Sequence, residues 1–408
     1  MGERVEVVVV GGGQAGLAVS HELAAVGVEH LVLERGRVGQ TWRDRWDSFC
    51  LVTPNSTVQL PGGAYAGDDP DGFMPRDEIV RHLETYAASF AAPVREGVDV
   101  TALEAAETGF RLGTSDGELQ ADVVVVCTGA YQRPHRPAAA TVPAGLLQLD
   151  AESYSNEAAL PPGRVLVVGS GQTGCQLAEE LREAGRDVVL ACGRAPWAPR
   201  RVGGRDIFLW AVEVGFFDDT LAHLPSPAAR LVSNIQTTGH AGGHDLHYRI
   251  LQQLGVTLVG RFLGAEDGRA RFAPDLAASV AFGDARYNDL RARIVQDCAR
   301  RGIEVPEMPD PPPFAVDAPE SVDLAGFGAV VFTSGFRPDY ASWIQFDAFD
   351  ETGFPIQQDG ESTVVEGLYF CGVHFLRKRK SSLLVGVGED AAIVAGEIAE
   401  RRLRLTPI

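Results

Sequence analysis

Apolar runs alternate along the chain with stretches of helical spacing, and two of those runs end in the same glycine-rich turn. Residues 5–10 are β-branched and apolar except for Glu6, the pattern of a strand covered on both faces. The turn Gly11–Gly–Gly–Gln–Ala–Gly16 follows. Leu17, Ala18, Leu23 and Ala24 then recur at helical spacing up to a stop at Gly27, and a second strand over residues 30–33 ends in Glu34. The whole reads as a βαβ unit. The same grammar returns with a strand over 164–168, the turn Gly169–Ser–Gly–Gln–Thr–Gly174, a helix over 176–184 and a strand over 187–191.

Between the two units lies a proline-rich connector, residues 133–143 and again Pro161–Pro162, where X-Pro geometry disfavours helix and suits an interdomain crossing. A second crossing is expected at 308–319, whose PDPPP core reads as a stiff linker rather than a polyproline ligand. Residues 205–253 lack strand alternation and are expected to be helical and irregular. Strands are expected at 329–333 and 367–371 and a final helix from Glu389, all returning to the first domain.

A G-x-G-x-x-G turn between strand and helix brings backbone N–H groups and a helix N-terminus to a pyrophosphate, because glycine leaves the approach open. At the first turn Gly11, Gly13, Gln14, Ala15 and Gly16 take this role, and Glu34 stands where a carboxylate accepts hydrogen bonds from ribose hydroxyls. At the second, Gly169, Gly171, Gln172, Thr173 and Gly174 repeat it, but no acid follows. Arg194, Arg200 and Arg201 crowd that position instead, which favours the 2′-phosphate of NADPH over NADH. A solvated basic loop is the alternative.

Composition narrows the partners. With 45% hydrophobic and 22% charged residues the chain is globular, and 408 residues suit two or three domains. A net charge of -19 argues against a nucleic-acid partner. No apolar stretch approaches the roughly 18 residues of a membrane span and no signal-peptide pattern opens the chain, so a cytoplasmic protein is expected. The six cysteines, Cys50, Cys127, Cys175, Cys192, Cys298 and Cys371, form no C-x-x-C pair, which argues against a disulfide framework, a zinc site and a dithiol redox centre.

Several further motifs fall in a recognisable order: LERG at 33–36, GQTWRDRWDSFCLVTPN at 39–55, VVVVCTGAYQRPHRP at 123–137, VGSGQTG at 168–174, VVFTSGFRPD at 330–339, and GLYFCGVHFL and GVGEDAA near the end. Over almost its whole length the chain resembles the flavin-containing (class B) monooxygenase superfamily, including its YUCCA-type branch. The resemblance implies an α/β fold of two Rossmann-like domains in a glutathione-reductase-like architecture. An FAD domain (1–160 plus 320–408) would carry an inserted NADPH domain (161–319) with a helical insertion at about 205–255. Thr128–Gly129 and Ser334–Gly335 would be the linkers.

By the same resemblance Arg35, Gln40, Thr41, Trp42, Arg43, Gly129 and Gly372 would line the FAD with the first turn, and Arg194 and Arg201 would hold NADPH. Core packing is the alternative for Trp42 and Trp46. Asn55 would be the active-site amide near flavin C4a; a turn residue after Pro54 is the other reading. The implied chemistry is reduction of FAD by NADPH, reaction with dioxygen to a C4a-hydroperoxide, and oxygen transfer to a small molecule. The transfer would go to a soft N or S atom, or to a 2-oxo acid by oxidative decarboxylation. One departure stands out: Asp150 occupies the place of the family's fingerprint histidine, an anion for a donor, which bears on how NADP+ is clamped. The tryptophan-proline ending of the Baeyer–Villiger fingerprint is missing, which disfavours that reaction.

Two clusters are read as ordinary. His240, His244 and His247 lack a metal-ligand set, so no metal is expected, and Arg377–Lys–Arg–Lys380 reads as a solvated turn, with attraction of NADPH phosphates or an acidic substrate as the alternative. An NADPH oxidase, a thioredoxin-reductase-like enzyme and a non-catalytic flavin sensor are the competing functions.

Overall fold

The opening run forms the strand Glu3–Val10 of a computed structural model that describes residues 3–137 and 142–405. Its last four residues are buried and sit in parallel register between His30–Glu34 and Gly117–Val126. Val94–Glu96 extends the sheet on one side and Leu368–Phe370 on the other, both parallel. Antiparallel strands Val100–Ala105 and Phe110–Thr114 fold against the start of Gly117–Val126. Helix Gln14–Ala25 lies on this sheet beside the final helix Val387–Leu405, where Leu17, Leu23, Val387, Ala391 and Val394 are buried together with Val7 and Val9. Each of the valines and leucines contributes about 1.5–3 kcal/mol through its burial.

A second sheet, wholly parallel, orders Leu147–Asp150, Phe327–Phe332, Arg164–Val168, Val188–Ala191 and Thr257–Val259. This corrects two expectations. The strand expected at 329–333 does not return to the first domain, because Phe327–Phe332 pairs on both sides within the second sheet. The second domain therefore takes in Leu147–Asp150 at one end and Phe327–Phe332 at the other, rather than ending at 161 and 319. Nor is 308–319 a crossing. That stretch lies along the second domain, where Tyr287 donates to the Pro309 carbonyl and Arg249 to that of Pro312.

The chain crosses between domains at the short antiparallel pair of Arg133–Pro134 with Phe336–Arg337, next to the two expected linkers. Part of the proline-rich connector, 138–141, lies outside the described residues. The segment expected to be irregular contains Ile207–Glu213, several single 3-10 turns and Tyr248–Gln253, as its lack of alternation implied. The 26-residue helix Leu276–Arg301 packs beneath it through Tyr287, Leu290 and Ile294.

Candidate functional site

Each glycine turn sits at the carboxyl end of its sheet, and each is closed on the flank by an equivalent strand end. Cys127 donates its N–H to the Val10 carbonyl at 2.8 Å, and Thr333 donates to the Val168 carbonyl at 2.8 Å. The glycines that follow, Gly129 and Gly335, share φ +84°, and Gly11 and Gly169 have φ +112° and +108°. A Cβ on Gly11 would stand 2.5 Å from the Cys127 carbonyl oxygen and one on Gly16 would run into the Gly11 carbonyl, so both glycines are demanded by the fold. Gly13 differs: nothing lies within 4 Å of its Cβ position, nor of that of Gly129. The helices after the two turns have no side-chain cap and no acid in the first turn, so their leading N–H groups stay open to an anion.

Glu34 is buried, and its carboxylate accepts from Gly12 N–H at 2.6 Å and Gly36 N–H at 2.9 Å. Two backbone donors fix the group while lone pairs remain for ribose hydroxyls. A Cβ on Gly12 would press on the Glu34 side chain at 2.9 Å. Arg35 is exposed beside it. Trp42 donates from Nε1 to Gln14 Oε1 at 2.9 Å, tying the short helix Gln40–Arg43 to the first turn, and Gln14 donates onward to the Ser382 carbonyl at 3.3 Å. Ala15 is buried against Gly372, where a Cβ would approach it to 2.5 Å, and Thr41 is exposed. An open Gly13, a fixed Glu34 and an uncapped helix together fit a dinucleotide such as FAD.

Two expected members hold the loop instead. Arg43 pairs with Glu84 at 2.5 Å and donates from Nε to the Val38 carbonyl, and Gln40 accepts from Arg37 N–H and donates to Asp44. Asn55 is also redirected. It is 4% exposed, its Nδ2 donates to the Asp69 carbonyl at 2.9 Å, and its Oδ1 accepts from Met74 N–H at 2.7 Å. Its amide closes the 55–74 loop, the turn role weighed for it at the sequence level.

At the second turn, Gly174 would collide with the Gly169 carbonyl if it carried a side chain, and a Cβ on Gly171 would stand 3.0 Å from Ser233. The strap 233–238 lies across this turn: Gln236 donates to the Ser170 carbonyl at 2.7 Å, Gln172 to that of Ile235 at 3.0 Å, and Gln176 to that of Thr237 at 2.9 Å. Thr173 is half-buried in the same helical turn. Ser233 Oγ and Gln236 Oε1 are buried with no hydrogen-bond partner among the described residues, as groups awaiting a polar ligand are. The Ser170 hydroxyl accepts from Gly193 N–H at 2.8 Å and meets Tyr248 Oη, which itself bonds the Gly193 carbonyl at 2.6 Å. That network fixes the start of the arginine segment.

Arg194 and Arg201 are exposed and make no ion pair among the described residues, as guanidiniums kept for a 2′-phosphate would be. Arg200 is corrected out of this group. It is 2% exposed, pairs with buried Asp206 at 2.6 Å, donates to the Val52 carbonyl at 2.7 Å and covers the Phe73 ring at 4.1 Å. It pins the first domain to the second.

Asp150 ends an edge strand of the second sheet and forms a two-pronged pair with Arg136, which also covers Phe332 at 4.6 Å. Its charge is thereby compensated. The run 377–380 is neither loose nor free: Arg377 pairs with Asp359 and Asp390, Arg379 with Asp219, and both lysines with Asp218 and Glu389. Those bonds join the C-terminal loop to the second domain and give each of the four cations a carboxylate partner. Among the described residues no cluster fits a metal, and His244 pairs with Glu179 at 2.8 Å. Trp46 is core, packed with Tyr154 and Leu177 of the second domain, while Trp42 lines the first turn.

A cluster of rings at the domain crossing has no counterpart among the residues expected from the sequence. Tyr131, on the first crossing, is 39% exposed, meets His374 and Phe336 edge-on at ring distances of 5.3 Å, and covers the Arg45 guanidinium at 5.4 Å. Arg45, Tyr131 and His374 follow His30–Glu34, Gly117–Val126 and Leu368–Phe370 of the first sheet, beyond the carboxyl ends where open α/β sheets bind ligands. Arg45, Tyr131, Phe336 and His374 each fall within one of the motifs of the sequence, but only the fold brings them together.

A family model described as pyridine nucleotide-disulphide oxidoreductase matches residues 8–203. An uncharacterised oxidoreductase CzcO-like protein of Geobacillus kaustophilus (strain HTA426) is 30% identical over 398 residues, 97% of this chain and 98% of that protein. The indole-3-pyruvate monooxygenase YUCCA1 of Oryza sativa subsp. japonica is 32% identical over 209 residues, 49% of this chain and 51% of that protein. Among solved structures, the flavin monooxygenase of Stenotrophomonas maltophilia, as a double mutant, superposes with a TM-score of 0.69 at 19% identity, covering 98% of this chain and 99% of that one. Among the described residues no helix is long and apolar enough to cross a membrane. The chain belongs to the CzcO-like oxidoreductases, enzymes of the class B flavin monooxygenase type that use FAD and NADPH.

Proposed function

We propose that this enzyme is an NADPH- and dioxygen-dependent monooxygenase that oxygenates a small molecule in the cleft between its two domains, at a soft N or S atom or at a 2-oxo acid. The observation that carries the reading is the pairing of unlike nucleotide turns around one cleft. The first is backed by the Glu34 carboxylate and the second by unpaired Arg194 and Arg201. FAD, when bound, supplies a hydride acceptor and the means of activating dioxygen. The chain's own residues do the rest. Glu34 and the first turn anchor one nucleotide, Gln14 and Trp42 lock the short helix onto that turn, and the strap 233–238 covers the other. Tyr131, donated to by Asn234 at 3.4 Å, narrows the cleft and helps keep water from it.

The thioredoxin-reductase-like alternative needs an accessible thiol pair. Cys127 and Cys371 are neighbours at the ends of adjacent strands, but both are buried, and the neighbouring thiol and burial push Cys371 up, away from a reactive thiolate. The NADPH-oxidase alternative is decided by stoichiometry. FAD-loaded enzyme is given NADPH, oxygen and a panel of amines, thioethers and 2-oxo acids, and peroxide is measured against NADPH consumed. A monooxygenase releases well under one peroxide per NADPH with at least one compound and forms its oxygenated product. One peroxide per NADPH with every compound contradicts the proposal.

A further inference from the structure

Arg45 stands beside the domain crossing, against the rings of Tyr131 and Phe49. Among the described residues its buried Nε has no hydrogen-bond partner and no carboxylate forms an ion pair with it. Its guanidinium lies instead against two aromatic faces, Tyr131 at 5.4 Å and Phe49 at 5.8 Å. Glu152 and Asp44 are near enough to be felt, but neither touches it, and burial presses the group toward losing its charge. A half-buried guanidinium with its Nε walled off from water and no carboxylate against it is a ready seat for an anion from outside. The chain holds it firmly in place: the Arg45 carbonyl accepts from Arg76 at 3.0 Å, and its neighbour Trp46 is buried.

The surroundings restrict what that anion is. Tyr131, Phe49, Phe336 and His374 make the walls, all flat rings. His374 is held near pKa 4 by burial and by Arg230, so it adds a neutral wall rather than a second charge at neutral pH. The NADPH phosphates already have Arg194, Arg201 and the second turn. What is left for Arg45 is a planar anion small enough to enter between rings, and a guanidinium fork matches a carboxylate through two parallel bonds.

We infer that Arg45 is the specificity-determining residue of the substrate cleft and seats the carboxylate of an aryl acid, with Tyr131 and Phe49 against its ring. The inference deepens the oxygenase reading and rests on it for calling the bound acid a substrate.

The test is binding, without turnover. FAD-loaded enzyme is titrated with benzoate, phenylacetate and phenylpyruvate, each against its primary amide, and followed by calorimetry or by the flavin spectrum. At least one acid is expected to bind roughly tenfold or more tightly than its amide, the scale of a charge-assisted two-bond contact. Arg45→Met should bring that acid down to its amide, and Arg45→Lys should recover part of the gap. Tyr131→Leu, at an exposed position, should weaken the acid while the Arg45 charge remains.

Acids that bind no better than their amides overturn the inference, whether or not neutral compounds are oxygenated. So does Arg45→Met protein that has lost its FAD, since the arginine would then be a flavin contact. Selective acid binding accompanied by one peroxide per NADPH supports the seat and removes the oxygenase reading.

Discussion

Asp150 and Arg136 face each other through two hydrogen bonds of 2.8 Å each, across the seam where the chain enters the second domain. The sequence places an anion at the end of an edge strand, and the fold answers it with a guanidinium that is itself laid over Phe332. The pair therefore acts as one neutral unit beside the second turn. Asp150→Asn and Arg136→Gln should weaken NADP+ binding by similar factors, and the double variant should be no worse than either alone. Equilibrium titration with NADP+ reads this; additive losses would mean the two residues act separately. With side chains 38% and 23% exposed, the pair should contribute only about 0.2–1 kcal/mol to stability.

Three of the four glycines of the first turn, Gly11, Gly13 and Gly16, make a sharper prediction because the structure gives them different duties. Gly13→Val adds a side chain at φ -85°, where nothing lies within 4 Å, so the apo-protein's melting temperature should stay within a few degrees of the parent. Its FAD content should collapse, since the branched side chain fills the approach to the helix N-terminus. Gly11→Ala and Gly16→Ala should instead lower the melting temperature, because backbone carbonyls already occupy those places. Retention of FAD by Gly13→Val would remove the first turn as the pyrophosphate site.

Much of this layout is legible in the sequence, and the reasons it fails elsewhere are physical. Residues 7–10 and 165–168 announce buried strands because parallel sheets covered on both faces demand unbroken apolar runs. The same property hides which sheet a run joins. Phe327–Phe332 is apolar throughout and would suit either sheet, and only its pairing with Leu147–Asp150 and Arg164–Val168 assigns it. The helix Leu276–Arg301 carries its signal at Leu276, Val280, Tyr287, Leu290 and Ile294, diluted by surface arginines and aspartates. Arg194, Arg200 and Arg201 are alike as letters. Burial against Asp206 and Phe73 separates one from the others, and both of those partners are distant or unremarkable in the chain. The cleft residues Arg45, Tyr131 and His374 meet only in three dimensions.

Arg200 and Asp206 are both about 98% buried, so neither charge is tolerable alone. Arg200→Met should cost about 3–5 kcal/mol, measured by denaturant unfolding, and loosen the first domain from the second through loss of the Val52 bond. Arg200→Met with Asp206→Asn should recover a substantial part of that loss. A single variant as stable as the parent would contradict the interdomain pin.

Acid should destabilise the fold through His247, which is 5% exposed, packed on Trp197 at 4.4 Å and held near pKa 4 by burial, with Arg249 opposing and Asp245 and Asp284 favouring its protonation. The folded state binds this proton less readily than the unfolded chain. Stability is therefore fully present above 6.5 and is lost as pH falls from there through about 4, by about 2–3 kcal/mol. His244, whose pKa is raised by its bond to Glu179, works in the opposite sense: its contribution is present below 6.5 and fades as pH rises through its folded value. Unfolding midpoints of the parent and of His247→Gln across that range check the sign. The variant should show the flatter acid limb, and an unchanged slope would assign the loss to other groups.

Rapid anaerobic reduction of the bound flavin tests the division of labour between the two turns most directly. FAD-loaded parent and Arg194→Gln/Arg201→Gln protein are mixed with NADPH or NADH, and bleaching of the flavin is timed. The parent should be reduced much faster by NADPH, by roughly ten- to a hundredfold if two guanidiniums hold the 2′-phosphate, and the double variant should lose that preference. Equal rates with the two nucleotides, or a preference that survives the double variant, would contradict the assignment of NADPH to Arg194 and Arg201.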